Sequence, residues 1–145
     1  MDKQQEELSY FKLRLLELLE TSFPEKLKDK TFINQRAQRA ANAYEGAFLA
    51  GNPSNECEQI ADFILFEGLY FSKFDTVFKV VCDEFGSLML EEDIRPFSLK
   101  MLGRCESIFA KYHLVDDFAY SYDFDLLYTE LTGAIAIWIE KHGLQ

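Results

Sequence analysis

Proline, cysteine and histidine are scarce in this sequence: 145 residues contain three, three and two of them. With only Pro24, Pro53 and Pro96 to interrupt it, the chain is free to form long helices elsewhere. Cys57, Cys82 and Cys105 are odd in number, lie far apart and form no C-x-x-C pair. That argues against a disulfide framework and against a zinc ribbon, and it fits a reducing cytoplasm. His113 and His142 have no ligand-type residue one helical turn away, and Cys105 precedes His113 by eight residues. A zinc ion needs three or four nitrogen, sulfur or oxygen ligands within reach, so neither a metal nor a cofactor is expected.

Motifs of chemistry are missing too. The seven glycines make no G-x-G-x-x-G and no phosphate loop, and G-x-S-x-G does not occur. Cys57 and Cys105 each precede a glutamate, which opposes thiolate formation. Acid–base catalysis requires two carboxylates that face each other across a cleft, whereas side chains adjacent in sequence generally diverge, so Asp116-Asp117 and Glu91-Glu92 read as loop and cap charges. No enzymatic activity is expected. The longest apolar run near the end, Gly133–Ile139, is seven residues, against the roughly 20 a membrane span needs. The first residues lack a basic-then-apolar signal. The expectation is a cytoplasmic protein with no membrane partner.

What the sequence does contain is rings and acid. Fourteen Phe, seven Tyr and one Trp make 15% of the chain, inside a hydrophobic fraction of 48%. Rings supply core area, and those left outside tend to mark contact surfaces. The net charge is −10, and it is unevenly placed. Residues 1–50 hold eight acids and eight bases, whereas residues 51–145 hold 17 acids and seven bases. Such a field repels nucleic-acid backbones and favours solubility or a basic partner.

The apolar spacing is helical throughout. Leu8, Phe11, Leu15, Leu18 and Leu19 mark a first helix near residues 5–21, ended by Pro24. Thr31 is placed to cap a second, with Ile33, Ala37, Ala40 or Ala41, Tyr44, Ala47 and Phe48 inward. Gly51-Asn52-Pro53 stops it and starts a third, carried by Ile60, Ala61, Ile64, Leu65 and Leu69 and loosening near Gly68. Ser72, with Asp75 three residues on, caps a fourth, whose inward face is Phe74, Val77, Phe78, Val81 and Phe85 and which stops near Gly86. Acids before Pro96 open a fifth, running through Met101 and Phe109 to Tyr112 with a weak point at Gly103. After a loop over 113–122, Asp123 caps a sixth, carried by Leu127, Leu131, Ala134 and Trp138 and by Phe124, Tyr128 and Ile135, with Gly133 suited to close helix packing. No alternating strand pattern occurs. The expected fold is all-α: a single multihelical domain, 1–145, of about six helices.

One self-echo stands out. Tyr70, Phe74 and Asp75 recur fifty residues later as Tyr120, Phe124 and Asp125, each set on an aromatic loop feeding an amphipathic helix. Cys57–Ile60 matches Cys105–Ile108 more weakly, at an offset of 48. Two matches in one order suggest two pseudo-repeated helical bundles.

Two surfaces are candidates for binding. In the tract from Asp116 to Glu130, acids alternate with rings, and Asp116, Asp117, Tyr120, Tyr122, Asp123, Asp125 and Tyr128 form a candidate partner surface. Rings among acids suit a protein hot spot; the plainer reading has the rings pinning the loop to the core, with the acids outside as caps. Lys28, Lys30, Arg36 and Arg39 form a candidate basic patch, diluted by Glu25 and Asp29, so that direct nucleic-acid binding is disfavoured.

Three tracts, Glu7–Leu16, Glu67–Asp75 and Tyr128–Ile139, resemble an uncharacterised family of Bacteroidetes, domain of unknown function 1896, and the likeness extends over nearly the whole chain. The resemblance implies an all-helical protein of this size. Because members are often encoded on conjugative transposons, it also implies a cytoplasmic accessory protein of a bacterial mobile element. It brings no catalytic or binding residues. The resulting expectation is a non-enzymatic interaction protein with an unidentified, basic protein partner. The alternative is an acidic nucleic-acid mimic that inhibits DNA-binding enzymes.

Overall fold

The computed structural model describes residues 3–144, and these are helical with no strand among them. Seven α-helices are present in that range: α1 (Lys3–Ser22), α2 (Lys30–Leu49), α3 (Ser54–Leu65), α4 (Lys73–Val80), α5 (Glu91–Arg104), α6 (Glu106–Phe109) and α7 (Tyr122–His142). The chain forms two compact units, divided between Leu69 and Tyr70.

In the first unit, α2 packs against both α1 and α3. Phe11, Leu15 and Leu19 recur every fourth residue along α1 and are buried with Ile33, Ala40, Ala41, Ala61 and Leu65. Ala37 and Ala40 are fully buried, and their small side chains let the neighbouring helix axes approach closely. The α2–α3 connection is set by Gly51, whose φ of +95° no β-carbon resists. Gly51 N–H donates to Phe48 O (3.0 Å) and Asn52 N–H to Ala47 O (3.1 Å), the paired bonds of a Schellman stop. The α2 cap is Asp29, not Thr31: its carboxylate accepts from Phe32 N–H, because the helix begins at Lys30, two residues earlier than a Thr31 cap would start it. Phe48 and Ile60, expected inward, stand 47% and 41% exposed. The buried positions of α3 are Cys57, Ala61 and Leu65, whose four-residue spacing defines a face that Ile60 does not share.

In the second unit, Ser72 caps α4 as its sequence predicts, its Oγ accepting from Asp75 N–H at 2.9 Å. The helix then widens into a π turn over Val81–Phe85 and tightens into a 3₁₀ turn over Gly86–Leu88. The fifth predicted helix is two helices. It breaks at buried Cys105 (φ −102°, ψ 7°), not at Gly103, because the chain turns there to bring the short α6 into contact with both α5 and α7. α5 begins at Glu91, so Pro96 lies inside it, and α7 begins after Ser121, with Asp123 in its first turn and not at its cap. The core gathers Phe74, Val77, Val80, Met101, Phe109, Leu127, Leu131 and Ile135.

Both echoed segments, around Tyr70–Phe78 and Tyr120–Tyr128, belong to this second unit. Cys57 lies within α3 of the first unit, whereas Cys105 occupies the α5–α6 break. The echo therefore relates two loops of one unit and does not relate the two units to each other.

Candidate functional site

The two echoed loops lie side by side. Phe71 from one and Phe118 from the other meet edge-on with centroids 5.1 Å apart, and Phe124 at the start of α7 closes the group at 6.4 Å from each. Tyr112 adds a fourth ring, 5.8 Å from Phe118. Phe71 and Phe118 are buried, so these rings pin both loops to the core. The rings beside them face outward: Tyr70, next to Phe71, is 60% exposed, Tyr120, at the end of a 3₁₀ turn that begins at Phe118, 92%, and Tyr122, the first residue of α7, 81%. Between the loops lies a shallow cavity of about 180 Å³, bordered by Tyr70, Asp75, Lys79, Ala119 and Phe124.

Carboxylates flank these tyrosines in the sequence. Asp75, Asp116, Asp117, Asp123 and Asp125 are all exposed. Glu130, the last acid of the tract, is engaged within the unit by Lys111 Nζ and the Tyr112 hydroxyl. Lys111 first, then Tyr112, holds its carboxyl below the usual range. The same bond pushes the Tyr112 hydroxyl up to about 12. Tyr128 differs from the other tyrosines of the predicted surface. It is half-buried, and its hydroxyl donates to Glu84 (3.0 Å) and Asp83 (3.3 Å); burial above all, then the Glu84 carboxylate, raises its pKa. Tyr128 therefore joins α7 to the π turn and is not part of an open surface.

The predicted basic patch is likewise reduced. Arg36 Nη1 donates to the backbone carbonyls of Leu65 (3.2 Å) and Glu67 (2.6 Å), with its guanidinium 4.8 Å from the Phe32 ring centroid. It closes the C-terminal end of α3, where unpaired carbonyls concentrate negative potential. Lys28, Lys30 and Arg39 remain exposed.

A polar cluster that the sequence reading passed over sits in the first unit. Arg14 pairs with both oxygens of Asp62 and lies 3.5 Å from Glu58, while its guanidinium rests between the Tyr10 and Phe66 rings at 5.4 and 5.3 Å. Tyr10 donates to Glu58 at 2.6 Å, which raises the pKa of its hydroxyl. The available signal was reciprocal spacing: Tyr10 and Arg14 are one turn apart on α1, as are Glu58 and Asp62 on α3. Beside this cluster, Glu6, Glu7, Tyr10, Tyr44 and Glu58 border a cavity of about 350 Å³.

Cys57 and Cys105 are buried and Cys82 is half-buried. Burial, helped by Glu106, pushes the Cys105 thiol up to about 11. Among the described residues no three His, Cys, Asp or Glu are grouped so as to hold a metal ion, and no helix is long and apolar enough to cross a membrane.

A family model described as "Domain of unknown function (DUF1896)" matches residues 3–144. The chain belongs to this family. Its DUF1896 fold is similar to the crystal structure of protein PG0816 from Porphyromonas gingivalis, with 37% sequence identity and a TM-score of 0.90 over 98% of this chain and 97% of that one. No curated protein matches this DUF1896 chain.

Proposed function

We propose that this chain is a non-enzymatic interaction protein that offers the loop surface around Tyr70, Tyr120 and Tyr122 to a basic protein partner. The observation that carries this reading is the pairing of Phe71 with Phe118. It fixes two loops from below while their tyrosines stand out among Asp75, Asp116, Asp117, Asp123 and Asp125. Tyrosine covers a large contact area for the loss of only two side-chain torsions. A pre-ordered loop also lowers the entropy lost on association. Acids around the rings would steer a basic partner and suppress acidic ones. In this reading the protein works in the cytoplasm as an accessory of a mobile element.

The nucleic-acid mimic has less support. It needs a row of open carboxylates, and Glu130 and Asp83 are engaged by Lys111 and Lys79. A pull-down from native bacterial lysate tests the proposal. The wild type is expected to retain a basic protein that Tyr120→Ala/Tyr122→Ala loses and Arg39→Ala keeps. Equal retention by all three proteins would overturn it.

A further inference from the structure

We propose that the outward face of α7 binds a second copy of this chain, antiparallel to itself about Gly133. This goes beyond the loop surface described above and does not depend on it.

α7 is apolar on two opposite sides. Its inward face carries Leu127, Leu131 and Ile135, all fully buried. At 100° per residue, Tyr122, Leu126, Gly133 and Ile137 fall within an arc of about 60° on the opposite side. Leu126 is 48% exposed and Ile137 54%. A helix that is apolar all round is normally covered all round. Glu140 is the one charge on that arc, near the far end.

Charge chooses the second copy over any other occupant, and a glycine leaves room for it. Asp123 in the first turn and Lys141 in the last are separated by about five turns of 3.6 residues, so they project from the same flank of the arc. A two-fold axis near Gly133 reverses one helix while keeping that flank on the same side. Asp123 of each copy then meets Lys141 of the other within about 3 Å along the axis. A parallel two-fold would carry the Asp123 and Lys141 flank to opposite sides of the two helices, so neither ion pair could form. Glu130, on the same flank, is already held by Lys111 and Tyr112.

That glycine is Gly133. Nothing lies within 4 Å of where its β-carbon would be, so no neighbour within the described chain explains its small size. The expectation of close helix packing inside the unit is thereby corrected: the glycine opens outward, at the centre of the arc. There it lets two helix backbones approach. Repulsion between two copies of charge −10 is largely screened at physiological salt, where the Debye length is about 8 Å.

Sedimentation over a wide range of protein concentration, together with oxidative cross-linking, tests the proposal. The wild type is expected to show a monomer–dimer equilibrium that Ile137→Glu weakens by at least about tenfold, equal to about 1.4 kcal/mol. Asp123→Lys alone should weaken it as well, and Asp123→Lys/Lys141→Glu should restore it. Gly133→Cys, at the axis, should cross-link to its own copy several-fold faster than Ser107→Cys on exposed α6. All these positions are exposed, and a far-UV spectrum confirms that each variant is folded. Tyr70→Ala/Tyr120→Ala should leave the dimer intact, which separates this test from that of the loop surface. A monomer at every concentration, a dimer indifferent to Ile137→Glu, or capture of a foreign protein by this face with no self-association would overturn the proposal.

Discussion

Arg36 donates a hydrogen bond of 2.6 Å to the backbone carbonyl of Glu67, joining the middle of α2 to the segment that follows α3. Its second bond, to Leu65, takes up another carbonyl at that helix end. Hydrogen bonds from a charged donor contribute about 1.5–3 kcal/mol, and their removal leaves carbonyls without that partner. Arg36→Met should therefore lower stability by about 2 kcal/mol, read as a reduced urea midpoint with an unchanged slope. Arg39→Met, on the exposed side of the same helix, should stay within about 0.5 kcal/mol of wild type. Equal effects from the two would remove Arg36 from its structural role and return it to the surface patch.

The ring group under the two loops leads to a contrast between neighbours. Phe118 is buried against Phe71, Tyr112 and Phe124, while Tyr120, two residues on, is 92% exposed. Removing a buried ring leaves a cavity as well as losing transfer energy, about 3–5 kcal/mol. Phe118→Ala should lower the melting temperature steeply; Tyr120→Ala should change it little. In partner capture the order for Tyr120→Ala reverses: stability stays and binding goes.

The sequence made the helical class legible because its strongest signals are local. The four-residue spacing of Phe11, Leu15 and Leu19, the Gly51-Asn52-Pro53 stop and the Ser72 cap are each settled within a few residues, and each is found in the structure. Missed features depend on distant partners. Arg36 reads as a surface cation until α3 brings its carbonyls alongside. Cys105 interrupts a helix whose apolar pattern runs on to Tyr112, because tertiary packing turns the chain there. Thr31 and Asp123 lie within two residues of the true boundaries, where several capping residues compete. The candidate surface was legible in its rings, since Tyr120 and Tyr122 do stand outward, but not at Tyr128, whose hydroxyl binds acids 44 and 45 residues away.

The Glu130 cluster sets opposite pH dependences at the two ends of the scale. Lys111 and Tyr112 lower the Glu130 pKa, so the stability this group contributes is present above its ordinary value and is lost as the pH falls through the depressed one. Glu130→Gln should flatten that part of the acid limb. Tyr112 behaves in the reverse sense. Its folded pKa is raised from about 10 to about 12, so its contribution is complete below pH 10 and disappears as the pH climbs towards 12. Tyr112→Phe should remove that alkaline loss. Tyrosinate absorbance provides the direct check, and a Tyr112 that titrates near the ordinary tyrosine value of about 10 would contradict the bond to Glu130.

Thiol reactivity gives a separate measure of how the second unit is closed. Cys105 is buried at the α5–α6 break, with its thiol pushed up to about 11, and Cys57 is fully buried in α3. Cys82 lies half-buried in the π turn, and burial together with Asp83 raises its pKa. The thiolate is the reacting form, so at pH 8 an aromatic disulfide reagent should modify one thiol of the folded protein, more slowly than free cysteine. All three should react in denaturant. Cys82→Ser should abolish the native reaction and leave two thiols to appear on unfolding. Rapid modification of Cys105 in the folded state would mean that the α5–α6 break opens on its own, and hydrogen exchange at Ile108 and Phe109, whose N–H groups donate to Cys105 O, would then be fast as well.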